Sequence, residues 1–227
     1  MSAGGRQSQS GRSLLPRLSP LSALSYFWEG IRNAGWWFRL EFRKGQSLAT
    51  VFLFSTLLLV VIGLLRRSIG FTEEGLRGLF WISYTFTLFQ TIPRPILDRK
   101  KEEWRWLYQL FSLEANLIGV WLYAFLLSQG VGFYLAAGGY VLWGYAPFWG
   151  LSVLGGAVLG VPLAIAALIG ARAEASYAVV GVLGFPLLLF PLLWVCLRSA
   201  PVLWQLGLLF MGESLLFFGL LPSVLED

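Results

Sequence analysis

Histidine is absent from all 227 residues of the sequence. Histidine is the commonest metal ligand and a frequent axial ligand of haem, so direct haem or metal ligation by this chain loses its usual donor. A catalytic triad built on imidazole is excluded with it. Cysteine is nearly as scarce. Cys196 is the only one, so no intrachain disulfide can form and cysteine usage leaves the redox compartment open. Charged residues make up 13% of the chain, where a soluble domain averages about 25%. The sequence also contains no GxxxxGKS or GxxxxGKT phosphate loop, no GxSxG elbow and no HExxH zinc motif. The chain is therefore not expected to be an enzyme, and any ATP-driven role would borrow its ATPase from another subunit.

What fills the sequence instead is apolar. Hydrophobic residues account for 57% and the mean hydropathy is +0.69. A core of this size cannot bury that much apolar surface, so part of it is expected to face lipid. Six apolar segments stand out, at about residues 48–65, 78–93, 115–140, 149–171, 177–197 and 202–221. A span needs roughly 20 apolar residues at about 1.5 Å rise each. The second segment is the shortest and most polar, with Ser83, Thr85, Thr87 and Gln90, and needs extension at one end to cross. Residues 1–20, rich in Ser, Gly and Arg, are expected to form a disordered tail ahead of a single membrane domain at 21–227. Between them and the first span, residues 26–44 mix aromatics (Tyr26, Phe27, Trp28, Trp36, Trp37) with charges (Arg32, Arg39, Glu41, Arg43, Lys44). Such a mixture suits a helix at the membrane interface.

The net charge of +5 does not point to nucleic acid, because the basic residues cluster at the ends of apolar spans. Seven lysines and arginines precede the first span, three follow it, five follow the second, none follows the third, and Arg172 and Arg198 follow the fourth and fifth. With the N-terminus inside, thirteen lie on the inner side and four on the outer. The positive-inside rule then predicts a multi-pass inner-membrane protein with both termini in the cytoplasm.

Four features could carry function. The loop at residues 94–109, RPILDRKKEEWRWLYQ, combines charges of both signs with Trp104, Trp106 and Tyr108. It is read as one short amphipathic helix, with Asp98, Glu102 and Arg105 at helical spacing, bounded by Pro93 and Pro95. Mixed-sign charge suits electrostatic matching to a protein partner, and the alternative is an anchor that positions the third span. Glu213 falls inside the last span. A charge there is expensive, so it is expected to pair, to be neutral, or to face a polar pathway. The fourth span carries Gly150, Gly155, Gly156 and Gly160, whose GxxxG spacing predicts close helix packing within the chain or between copies. The fifth contains Pro186 and Pro191, which favour kinks in either a static or a moving helix.

Several of these segments together resemble a known family. The element LEFRK before the first span, the charged stretch after the second, and the run AALIGARAEASYAVVGVLGFPLLLFPLLW from the fourth into the fifth are similar to haem exporter protein B (CcmB). That family is the small permease of the ABC transporter used in c-type cytochrome maturation. The similarity covers about residues 36–197. It implies six helical spans of the ABC-2 exporter type, with an interfacial N-terminal helix and a cytoplasmic coupling helix between spans two and three. It implies contact with a dimeric cytoplasmic ATPase through Glu41 and Arg43 of the E-x-R element and through Asp98, Arg99, Lys101, Glu102, Glu103, Trp104, Arg105, Trp106 and Tyr108 of the charged loop. Arg172 and Glu174 match its short inner loop and Pro186 one of its prolines. The chain departs from the family at Lys101–Glu102–Glu103 and Ser112, where an acidic-Gly step and a proline are usual, and at Trp121, where a lysine is common. The implied role is to couple ATP hydrolysis to haem delivery or release of the haem chaperone, alongside other cytochrome maturation proteins. ATP and haem would be handled by partners, with no cofactor bound directly. A different cargo for the same kind of permease, a homodimer, and a membrane scaffold without an ATPase are the alternatives.

Overall fold

The computed structural model describes residues 20–44, 46–145, 149–173, 177–197 and 203–226. Of the expected tail at 1–20, residues 1–19 lie outside them, as does Glu174, whereas Pro20 already begins the first helix. The described residues are all-helical and contain no strand. In chain order the helices are α1 (Pro20–Lys44), α2 (Gln46–Ile69), α3 (Glu73–Thr91), α4 (Pro93–Leu97), α5 (Lys101–Leu110), α6 (Leu113–Trp143), α7 (Trp149–Arg172), α8 (Tyr177–Leu197) and α9 (Leu203–Glu226).

Their ends follow local rules. Thr72 caps α3, its hydroxyl accepting from the Gly75 N–H at 3.3 Å, and Ser112 caps α6 in the same way through Ala115 at 3.2 Å. Glycine at 144 closes α6 in the left-handed region at φ 64°. Pro93 stands at the start of α4, where a missing N–H is harmless. Pro162 in α7 and Pro186 and Pro191 in α8 lie within helices that continue through them.

Among the described residues three helices are long and apolar enough to cross a bilayer: Val51–Ile69 of α2, Leu113–Trp143 of α6 and Leu151–Arg172 of α7. These make the chain a membrane protein. Val180–Leu193 and Trp204–Gly219 are shorter apolar runs in α8 and α9. The two best spans occupy opposite positions. Within the apolar window 78% of α7 is buried against only 17% of α2, so α7 is the hub of the bundle and α2 is its periphery. α7 packs on α6, α8, α9, α4 and α3.

Small residues make that hub. In lipid there is no hydrophobic drive between helices, so close van der Waals contact must hold them. Gly155 receives the Trp81 ring of α3, and a Cβ there would lie 2.7 Å from its Cζ3. Tyr84 is wedged between Gly156 of α7 and Gly132 of α6; added Cβ atoms would stand 2.9 and 2.8 Å from its Cζ. Its hydroxyl donates to the Ser128 carbonyl at 2.5 Å. Gly160 abuts Ser128 and Ala124 of α6. Of the four glycines of the fourth span, Gly155, Gly156 and Gly160 thus serve packing within the chain.

Gly156→Ala should force Tyr84 out of its slot and cost about 1–3 kcal/mol, the usual range for overpacking. Gly207→Ala, where an added methyl meets nothing within 4 Å, should be neutral. Thermal unfolding of the two variants in mild detergent, followed by size-exclusion recovery, measures the difference.

Candidate functional site

The charged segment after α3 does not form one helix. Asp98 ends α4, Lys100 is extended at φ −68°, ψ 153°, and α5 begins only at Lys101. The expected continuous helix over 94–109 is therefore corrected to two helices with a break at 98–100. The break has a cause on each side. Asp98 accepts from Arg94 Nε at 3.4 Å within its own short helix. Arg99 turns instead toward α1, placing its guanidinium 3.5 Å above the Trp37 ring and 5.5 Å from that of Trp104.

That arginine joins α1 to α5. A guanidinium lying flat over an indole gains both cation–π attraction and stacking, at roughly 0.5–2 kcal/mol depending on desolvation. Trp37 is 1% exposed and also touches Trp104 and Tyr123, with ring centroids 5.8 and 5.6 Å apart. Burial pulls the Arg99 pKa down to about 10, against the opposing fields of Glu103, Tyr123 and Glu41, so it stays cationic at neutral pH. Glu41, itself buried in α1, thus shares one electrostatic cluster with Arg99 and Glu103. A second aromatic pair, Trp36 with Trp106 at 5.8 Å, repeats the α1–α5 contact one residue outward.

A buried amide pair fixes the other end of α5. Asn116 of α6 donates to the carbonyls of Phe111 and Ser112 at 3.2 and 3.1 Å; the first closes α5 and has no other donor among the described residues, while the second also accepts the Asn116 backbone N–H at 2.9 Å. Its Oδ1 accepts from Asn33 Nδ2 of α1 at 2.8 Å. Gly119 makes room for this pair, since a Cβ there would sit 2.8 Å from Asn33 Cγ. One turn earlier, Gly30 admits Ile118 in the same manner. The helix expected at the membrane interface thus lays one face along α6, while Phe27, Trp28 and Phe42 on its other sides stay exposed.

Between these two anchors α5 shows most of its surface. Leu107 is buried and Trp104 half-buried, while Glu102, Glu103, Arg105, Trp106, Tyr108 and Gln109 are exposed. Burial and the nearby Arg172 act oppositely on the Tyr108 hydroxyl, and burial wins, raising its pKa. Of the residues singled out from sequence, Glu41, Arg99, Glu103 and Trp104 come together. Lys101 opens α5, whereas Asp98 belongs to α4. Arg43 is exposed and outside the cluster. Glu213 is remote from it, half-buried on the α9 stripe of Leu206, Phe210, Phe217 and Leu221, with Oε2 lacking a hydrogen-bond partner among the described residues. Sequence reasoning missed Asn33, Asn116, Trp37 and Tyr123. An asparagine three residues into an otherwise apolar span was the available signal for Asn116.

Asn116→Leu should strand the Phe111 carbonyl and leave Asn33 Nδ2 only its 3.4 Å bond to the Ala115 carbonyl, costing about 1–3 kcal/mol. Arg99→Lys should keep the charge but lose the flat stack. Both should raise amide hydrogen exchange over residues 101–110 before they affect α7; protection that falls equally in α5 and α7 would contradict a local anchor. No family model, curated protein or solved structure matches this chain.

Proposed function

We propose that the chain is the permease subunit of an ABC transporter complex of the haem exporter protein B type. In this reading α2, α3, α6, α7, α8 and α9 all cross the inner membrane, with α5 and both termini on the cytoplasmic side. The distribution of lysine and arginine among the loops supports that orientation. The polar α3 is compatible with crossing because its threonine hydroxyls are satisfied locally. Thr85 and Thr87 donate to the Trp81 and Ser83 carbonyls at 2.8 Å, and Ser55 of α2 reaches Thr87 at 3.4 Å.

The observation that carries the reading is α5 itself. It is a ten-residue helix of mixed charge, exposed along most of its surface and tied at both ends to other helices. A helix that merely coated the bundle would have no need of two separate anchors. A helix that receives a push does, because displacement must pass on. Closure of a dimeric cytoplasmic ATPase onto Glu102, Glu103 and Arg105 would be transmitted through Arg99 to α1 and through Asn116 to α6. The chain performs no covalent chemistry in this scheme. ATP is bound by the ATPase, and haem is passed among the other maturation proteins.

Replacing Glu102, Glu103 and Arg105 together with alanine should reduce co-purifying ATPase to background in mild detergent while the elution volume stays unchanged. Undiminished ATPase would remove α5 as the docking element, and no ATPase with the unmodified chain would favour a scaffold. A deletion strain should lose haem-stained c-type cytochromes; normal cytochromes would leave a permease for some other cargo.

A further inference from the structure

An apolar crevice of about 220 Å³ lies where α1 gives way to α2, against the middle of α6. Phe38 and Phe42 of α1, Val51, Phe52 and Ser55 of α2, and Leu126, Leu127, Gly130, Val131 and Tyr134 of α6 line it. It opens outward, since Phe42, Phe52, Leu126 and Gly130 are exposed. Its few polar atoms are already engaged. Ser55 donates to the Val51 carbonyl at 2.7 Å, and Tyr134 shares a 2.6 Å hydrogen bond with Thr56. An occupant therefore needs no hydrogen-bonding groups inside the crevice. Drug-sized ligands fill pockets of about 300–1,000 Å³, so this space suits a narrower body such as one hydrocarbon chain.

The neighbouring stripe of α1 has the opposite character. Arg39 and Arg43 are exposed and lie one residue on from Phe38 and Phe42, so a basic stripe runs beside the lining stripe of the same helix. The crevice begins at Val51, the first residue of the apolar window of α2. It therefore sits at the step between a charged helix and a lipid-facing one. A cationic edge beside a hydrocarbon slot at a polar–apolar boundary matches an amphiphile with an anionic head and an acyl tail.

We propose that this crevice is a binding site for an anionic phospholipid, with one acyl chain in the slot and the headgroup phosphate at Arg39 and Arg43. The site orders the α1–α2 junction against α6 and assigns Arg43 to lipid rather than to a protein partner. The inference rests on α2 and α6 facing lipid and not on docking at α5, so each can fail without the other.

The test uses the full-length chain in phosphatidylcholine vesicles carrying a trace of chain-spin-labelled phosphatidylglycerol or phosphatidylcholine. Electron paramagnetic resonance reads the motionally restricted fraction. Phosphatidylglycerol should associate more strongly, and its preference should fall about fivefold for each arginine changed to glutamine, the effect of roughly one surface cation. Arg39→Lys with Arg43→Lys should keep the preference. Gly130→Leu fills the slot without a clash, because nothing lies within 4 Å of an added Cβ, and should lower the restricted fraction of the anionic lipid. Equal restriction of the two lipids by the unmodified chain, or an unchanged fraction in Gly130→Leu, would overturn the proposal.

Discussion

A helix end in apolar surroundings cannot leave its carbonyls unpaired, and at the corner between α5 and α6 that constraint puts the Phe111 carbonyl on the side chain of Asn116. Its amide nitrogen satisfies the end of α5, and its oxygen is satisfied in turn by Asn33 of α1. Three helices therefore meet at one amide pair. The pair also fixes register. Sliding α1 by one residue along α6 would part the two asparagines and take Asn33 out of the space that Gly119 leaves for it. The Trp37–Arg99–Trp104 stack is the second consequence of that register, because Trp37 lies four residues along the same face of α1.

The rest of the bundle obeys a different economy. Around α7 there is little hydrogen bonding between side chains, and contact is made by glycines that receive aromatic rings from α3. Aromatic pairs such as Trp81 with Tyr84 add about 0.5–1.5 kcal/mol each beyond area burial. The α7 side of the molecule is thus set by shape, whereas the α1–α5–α6 corner is set by polar and charged groups. These two kinds of contact respond differently to surroundings. Shape packing is indifferent to salt and pH, and a cation held over an indole ring is not.

The sequence made the helical class readable through hydropathy, because long apolar runs have few other uses. The first three boundaries of α5 and its neighbours were less accessible. Asp98, Glu102 and Arg105 have helical spacing, yet the helix breaks at 98–100 because Arg99 gains a partner in α1, about sixty residues away. Local spacing carries no information about such a partner. Gly155, Gly156 and Gly160 were visible as a packing signal, but which rings Gly155 and Gly156 would receive depended on the placement of α3. In α3 itself, polarity obscured the reading: its threonines count against crossing on a hydropathy scale while bonding to their own backbone in the structure. Glu41 was found through resemblance and Trp37 was not, although the two share one face of α1.

The length of α6 has one more effect. Its 31 residues make a rod of about 46 Å at a rise of 1.5 Å per residue, while a bilayer's hydrocarbon layer is about 30 Å thick. Such a rod either leans in the membrane or stands clear of it at one end. Asn116 lies in its first turns and holds the end of α5, so that corner travels furthest when the rod changes its lean. With α6 crossing as proposed, bilayer thickness would act on α5 through tilt and without any ligand.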